Sequence, residues 1–110
     1  MSFELVVIGG GNMGAALLGG LLDSGAVARP DVAVVEPFAA RRSELESLFD
    51  GVTITEQVPP CNAAVLAVKP PDIPEVARAA ADAGANRVLS VAAGVTTATI
   101  GDACGDGVAV

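Results

Sequence analysis

The sequence predicts an α/β fold in which a parallel sheet carries helices on both faces. Short, continuously apolar segments alternate with segments of helical periodicity along the 110 residues, and that alternation is typical of parallel strands buried on both sides. The first apolar segment, residues 3–8, also runs directly into a glycine-rich turn that a helical pattern follows. A chain of this length forms one domain at most, so we expect residues 1–110 to be a single doubly wound domain.

Each element is predicted from its own pattern. The predicted strands are residues 3–8, 31–36, 52–55, 62–68, 87–91 and 108–110. The predicted helices are residues 12–25, 39–49, a segment that Asp72 opens, and 97–103. Pro59 and Pro60 leave room for no more than a turn between the third and fourth strands. The strand order expected for such a fold is 3-2-1-4-5-6, with ligands bound over the carboxyl ends of the strands beside strand 1.

The spacing of apolar residues predicts which side of each helix faces the sheet. For the first helix this side is Met13, Ala16, Leu17, Gly20 and Leu21. For the second it is Leu45, Leu48 and Phe49, and for the third it is Ile73, Val76, Ala77 and Ala80. Asp72 and Glu75 have the spacing of a capping box at the start of the third helix.

Gly9, Gly11 and Gly14 match the G-x-G-x-x-G spacing of dinucleotide-binding proteins. In that motif the first glycine allows a tight turn, the second lets the backbone approach a pyrophosphate, and the third lets the helix lie close to the strand. The amino end of the helix then offers free N–H groups and a positive dipole end to phosphate oxygens. A plain glycine turn does not account for three glycines at these spacings. The sequence therefore predicts a Rossmann-type domain that binds NAD(H) or NADP(H).

Three charged residues bear on the adenosine end of that cofactor. Glu36 ends the second predicted strand, where a carboxylate accepts hydrogen bonds from ribose hydroxyls and repels a 2′-phosphate, which favours NAD. Arg41 and Arg42 lie near the start of the following helix, from which they could reach a 2′-phosphate. A solvated carboxylate and an exposed basic pair are the plain alternatives, and the choice between NADH and NADPH stays open.

Two further segments lie where the nicotinamide end is expected. Lys69, the only lysine of the chain, follows the fourth strand within Leu-Ala-Val-Lys-Pro-Pro, at a strand end where ligands bind in this architecture; a snorkelling surface lysine is the alternative. The small residues of Ser-Val-Ala-Ala-Gly, 90–94, leave room for a flat ring beside the backbone, or form a packed loop.

Composition argues against several classes of function. The formal net charge is −7, which disfavours binding to nucleic-acid phosphates. Histidine is absent, which removes histidine-dependent nucleophiles and the usual base of 2-hydroxy-acid dehydrogenases. Cys61 and Cys104 have no metal-ligand spacing and no signal sequence precedes them, so we expect no metal, reduced spectator thiols and a cytoplasmic location. The apolar stretch from Ala15 to Leu22 is too short to span a bilayer, so we expect no membrane partner.

Together these segments resemble pyrroline-5-carboxylate reductase. The similarity runs nearly end to end and rests on four segments in this order: Ile8–Gly14, Leu18–Leu21, Leu66–Pro70 and Ser90–Val95. The resemblance implies that Asn12 and Met13 hold the pyrophosphate together with the glycines. It also implies a path to the nicotinamide lined by Ala67, Val68, Lys69 and Pro70, with residues near the ring at Ala92, Ala93 and Gly94.

The resemblance further implies hydride transfer from NAD(P)H to the C=N carbon of 1-pyrroline-5-carboxylate, a small imine, giving L-proline. Members of that family continue past the position of Val110 into a helical domain, which supplies the dimer interface, most of the substrate pocket and the hydroxyl donor. We therefore expect full-length members to be homo-oligomers and residues 1–110 by themselves to show no turnover. The alternatives are the nucleotide domain of a β-hydroxyacid-dehydrogenase-type reductase and a non-catalytic NAD(P)-binding module.

Overall fold

The computed structural model describes residues 2–91, which form a five-stranded parallel sheet with helices on both sides. The strands are β1 (Phe3–Ile8), β2 (Val32–Val35), β3 (Thr53–Thr55), β4 (Cys61–Leu66) and β5 (Arg87–Ser90). The helices are α1 (Asn12–Asp23), α2 (Ala39–Leu48) and α3 (Ile73–Asp82), with 3-10 turns at Arg29–Asp31 and Pro70–Asp72. The strand order β3-β2-β1-β4-β5, with every pairing parallel, confirms the predicted order for the described strands. The helix and strand expected at residues 97–103 and 108–110 lie outside the described residues.

Both faces of the sheet are covered, because successive side chains of a strand point to opposite sides. On one face Val6 of β1 belongs to a buried cluster with Ala77 of α3. On the other face Val7 belongs to a cluster with Leu18 of α1 and Leu45 of α2. The prediction of a doubly wound α/β domain is therefore confirmed.

The predicted inner face of α1 is wrong by one position. Its buried residues are Gly14 and Leu18, whereas Met13, from the predicted face, is 60% exposed. Steric fit at the start of the helix explains the difference, because the side of α1 that carries Gly14 lies directly against the backbone of Gly9. That contact fixes the rotation of the helix about its axis and turns Met13 outward.

The inner faces predicted for α2 and α3 are correct with one exception. Leu45 is buried and Phe49 packs against the core, but Leu48, the last residue of α2, is 61% exposed. In α3 the four predicted inner residues are buried or partly buried against the sheet.

Asp72 is the N-cap of α3, as predicted, but the capping-box hydrogen bond expected of its side chain is wrong. Asp72 has the helical angles φ −89° and ψ −10° and makes no side-chain capping hydrogen bond. It ends the Pro70–Asp72 turn, so its backbone is already helical rather than extended as a capping side chain requires. Pro74, at the second position of the helix, also has no N–H to be capped.

The connections and helices of the described part are short. Residues 56–60 join β3 to β4 without a helix, as the two prolines predicted. The longest helix between residues 2 and 91, α1, has 12 residues, and none there combines the length and apolar character needed to cross a membrane.

Candidate functional site

The carboxyl ends of β1, β2 and β4 meet at one edge of the sheet. The N–H of Gly9 donates to the carbonyl oxygen of Val35 at 2.9 Å, and the N–H of Ala67 donates to that of Ile8 at 2.8 Å. The segments that follow these strands therefore lie side by side. The chain leaves β1 for α1 on one face and leaves β4 for α3 on the other, and such a reversal opens a crevice between the two strands.

Three glycines, two in the loop after β1 and one in the first turn of α1, are required by the protein's own packing. Gly9 has a φ of +108°, and a Cβ there would lie 2.5 Å from the carbonyl oxygen of Ala67. A Cβ at Gly10 would lie 2.5 Å from Cδ1 of Leu45, and one at Gly14 would run into the carbonyl oxygen of Gly9. The structure thus has the tight turn expected at Gly9 and the close approach of helix to strand expected at Gly14.

Gly11 differs, because the packing of the described chain does not require a glycine there. Its φ of −71° and ψ of −170° are extended-backbone angles that any residue can adopt. No described atom lies within 4 Å of the place where its Cβ would stand. The missing side chain leaves open space of the kind that is needed where a ligand approaches the backbone closely.

Helix α1 begins at this open space, with Gly11 as its N-cap. A glycine has no side chain to accept hydrogen bonds from the first-turn N–H groups, and the first turn carries no acidic residue. The N–H groups and the positive end of the helix dipole therefore meet no side chain of opposite charge within that turn. This is a suitable place for an anionic group such as a pyrophosphate.

A cleft of about 440 Å³ lies between the glycine loop and the segment after β4. It is lined by Gly11, Asn12, Met13, Ala67, Val68, Lys69, Pro70 and Val91. Sequence analysis assigned all of these except Val91 to cofactor binding from two separate motifs, and the fold brings the two motifs together. The side chains of Asn12, Met13 and Lys69 are exposed, so a ligand in the cleft can reach them.

A larger groove of about 690 Å³ opens at the same edge on the side of α3. Its apolar walls include Val35, Pro37, Val58, Val68 and Val76, and its acidic residues are Glu56, Asp72, Glu75 and Asp82. Sequence reasoning missed this groove. Val58 and Val76 are apolar, but residues of the buried core are apolar too, so the sequence did not distinguish a groove wall from the core.

Glu36 lies just beyond β2, where the sequence placed it, and is only 6% exposed. Its Oε1 accepts a hydrogen bond from the N–H of Gly10 at 3.1 Å, and its Oε2 accepts one from the N–H of Phe38 at 2.9 Å. Arg41 Nε donates to the carbonyl oxygen of Gly10 at 2.6 Å, and Arg42 Nη1 donates to that of Glu36 at 3.0 Å. Glu36 and Arg41 thus contact the backbone of the glycine loop after β1, and Glu36 and Arg42 contact backbone at the turn after β2.

The other predicted residues lie elsewhere or outside the description. Ala92, Ala93 and Gly94 fall outside the described residues. Cys61 is buried with a free thiol, and burial raises the pKa of that thiol, which makes it a poor nucleophile. In the described part of the chain, no group of three or more Cys, Asp and Glu side chains is placed to hold a metal ion.

Comparison with known proteins identifies the family. The family model described as NADP oxidoreductase coenzyme F420-dependent matches residues 4–94. The chain belongs to this family. The matched residues run from Glu4 in β1 to beyond the end of β5 and include both motifs that line the cleft.

Two relatives found by sequence, from Mycobacterium leprae and Synechocystis, are both named pyrroline-5-carboxylate reductase. The chain is 38% identical over 102 residues to pyrroline-5-carboxylate reductase of Mycobacterium leprae, which covers 84% of this chain and 34% of that protein. The solved structure of a pyrroline-5-carboxylate reductase from Coxiella burnetii matches 96% of this chain and 41% of that one, with a TM-score of 0.81 and 27% identity.

A more distant structure shares the fold. The pyrroline carboxylate reductase of Plasmodium falciparum, solved with NADP bound, matches 94% of this chain and 38% of that one, with a TM-score of 0.71 and 17% identity. The chain spans about a third of the length of the Mycobacterium relative, so the resemblance extends to one part of a longer enzyme.

Proposed function

We propose that this chain is the cofactor-binding part of a pyrroline-5-carboxylate reductase and that it binds NAD(H) or NADP(H). Bound NAD(P)H supplies a hydride to the C=N carbon of 1-pyrroline-5-carboxylate while the nitrogen takes up a proton, which gives L-proline. The names of the Mycobacterium and Coxiella relatives support this reaction. The residues of this chain bind and orient the cofactor.

The open space at Gly11 carries the proposal. Gly9, Gly10 and Gly14 are each needed by internal packing, but a side chain at Gly11 would meet no described atom. Internal packing therefore does not explain why residue 11 is a glycine. A pyrophosphate bound at the start of α1 does explain it, because the phosphate needs that space.

The two openings at this edge suit the two halves of a dinucleotide. We assign the nicotinamide half to the cleft lined by Asn12, Met13, Ala67, Val68, Lys69 and Pro70, with Ala92, Ala93 and Gly94 beside the ring. We assign the adenosine half to the larger groove, whose apolar walls suit a flat base. Glu36 lies at the turn after β2, on the adenosine side, and Arg41 and Arg42 lie close enough to that turn to attract a 2′-phosphate.

The remaining assignments follow from this role. The substrate is a small imine, and we propose a cytoplasmic location, which suits the free thiol of Cys61. That full-length relatives are homo-oligomers and that the chain does not bind nucleic acid stay predictions.

Substitution of Gly11 tests the proposal. We expect Gly11→Val to lower affinity for both NADH and NADPH by at least about tenfold, because the new side chain fills the space assigned to the pyrophosphate. Titration calorimetry measures the affinities, and far-UV circular dichroism checks the fold. Gly20→Val is the matched control, because a Cβ at Gly20 of α1 also meets no described atom but lies away from the cleft. Unchanged affinity in a folded Gly11→Val chain would place the cofactor elsewhere.

A further inference from the structure

Glu36 is the one charged residue that is buried within residues 2–91. Burying a carboxylate is costly unless hydrogen bonds replace its water. Here both oxygens are used: Oε1 accepts from the N–H of Gly10 at 3.1 Å and Oε2 accepts from the N–H of Phe38 at 2.9 Å. The carboxylate therefore links the glycine loop after β1 to the turn after β2.

Arg41 holds the other side of the same glycine. Its Nε donates to the carbonyl oxygen of Gly10 at 2.6 Å, while its Nη1 lies 3.3 Å from the carboxylate of Glu44. The N–H of Gly10 belongs to the peptide group before its Cα, and the carbonyl belongs to the one after it. Fixing both groups restricts φ and ψ of Gly10 and so sets the direction in which the chain continues to Gly11.

The glycine loop after β1 also packs against Leu45 of α2 and Glu36 at Gly10. A Cβ at Gly10 would lie 2.5 Å from Cδ1 of Leu45 and 3.1 Å from Cβ of Glu36. The loop thus lies directly on β2 and α2 at Gly10, whereas one residue later, at Gly11, it borders the open cleft. Neither Glu36 nor Arg41 is among the residues that line the cleft or the larger groove.

We propose that Glu36 and Arg41 are positioning residues that hold the Gly10 backbone, and that Glu36 supports NADH and NADPH binding equally instead of selecting between them. The inference rests on the proposed function, since it concerns the same cofactor. A positioning role for Glu36 differs from a direct contact with the ribose in one measurable respect. A carboxylate bonded to the ribose 2′-hydroxyl favours NADH and repels the 2′-phosphate of NADPH, whereas a carboxylate that acts through Gly10 changes the affinities for both cofactors by the same factor.

Glu36→Asp separates the two roles because it keeps the charge and shortens the side chain by one methylene. Aspartate at this position cannot reach both backbone N–H groups, so it holds the Gly10 backbone less firmly. We expect affinity for the cofactor to fall by on the order of tenfold, the size of effect that one lost hydrogen bond to a charged group produces. We expect this loss for NADH and for NADPH, with the ratio of the two dissociation constants unchanged within about threefold. Glu46→Asp makes the same chemical change on the exposed side of α2 and is the matched control. A ratio that moves beyond this range would overturn the proposal in favour of a direct ribose contact.

Hydrogen exchange of the Gly10 amide, followed by NMR without cofactor, provides an independent readout. We expect slow exchange in the unaltered chain and faster exchange in Glu36→Asp, with no change in Glu46→Asp. Equal exchange in the unaltered chain and in Glu36→Asp would overturn the positioning role. If the unaltered chain bound neither cofactor, the proposed function would fail, and the amide exchange would still decide whether Glu36 holds Gly10.

Discussion

Gly9 and Gly11 stand two positions apart in one loop, but different constraints act on them. The positive φ of Gly9 and the carbonyl of Ala67 beside it exclude a side chain for reasons internal to the protein. Gly11 has ordinary backbone angles and open surroundings. At the scale of single residues, the structure thus separates glycines that shape the fold from the one that leaves room for a ligand.

Cys61 gives a prediction at the same scale. Burial raises the pKa of its thiol, so the folded protein holds less of the reactive thiolate than the unfolded chain at a given pH. In a Cys104→Ser chain, where Cys61 is the remaining thiol, we expect labelling by a chromogenic disulfide at pH 8 to be about a hundredfold slower in buffer than in urea. The folded-state pKa is the higher one. The labelling rate in urea therefore exceeds the rate in buffer by its full factor below the pKa of the unfolded thiol, about 8.5. This factor falls as the pH rises toward the pKa of the folded thiol. Equal rates in buffer and urea would show that Cys61 is accessible.

Helix α1 shows how one small residue orients a whole element. The apolar residues of α1 allow more than one inner face, and the apolar spacing selected Met13, Ala16 and Leu17. The contact of Gly14 with the backbone of Gly9 decides between the alternatives. It buries Leu18, which was not predicted, and Leu21, from the predicted face, packs against the same core.

Two alanine substitutions in α1 test this account. Gly14→Ala would place a Cβ against the carbonyl of Gly9, so we expect it to lower the free energy of unfolding by at least about 2 kcal/mol. Gly20→Ala, on the exposed side of the same helix, meets no described atom and should raise that free energy by about 0.5–1 kcal/mol through helix propensity. Urea denaturation followed by far-UV circular dichroism measures both. A Gly14→Ala chain as stable as the unaltered one would mean that the helix can shift away from β1 at little cost.

At the scale of the molecule, basic and acidic residues share the edge of the sheet where β1, β2 and β4 end, because Glu56, Asp72, Glu75 and Asp82 line the larger groove there. The chain carries a net charge of −7 with six basic residues, and three of those, Arg41, Arg42 and Lys69, follow the carboxyl ends of β2 and β4. Neutral peptide groups at the start of α1 lie between them. An anionic cofactor can therefore bind at this edge in spite of the overall acidity.

The composition of the cleft leads to a prediction for the whole chain. Of the described residues that line it, Lys69 is the one with a charge, and the rest offer backbone, apolar atoms or an amide. We expect residues 1–110 expressed by themselves to bind NADPH without reducing 1-pyrroline-5-carboxylate, because orientation of the imine, which contributes roughly 7 kcal/mol or more to such reactions, needs further groups. Loss of nicotinamide absorbance is the assay, with full-length pyrroline-5-carboxylate reductase of Mycobacterium leprae as the positive control. Turnover by the 110 residues would show that they contain a complete active site.

The sequence by itself determined the order of strands and helices, their parallel arrangement and the two motifs that line the cleft. These features follow from local rules, because apolar runs, helical periodicity and glycine spacing act within a few residues. The tertiary structure decided the rotation of α1, the exposure of Leu48, the apolar groove beside α3 and the inward direction of the Glu36 carboxylate. Each of these depends on atoms from elements distant in sequence, such as the Gly10 N–H that faces Glu36, and a linear pattern does not record which distant atoms become neighbours.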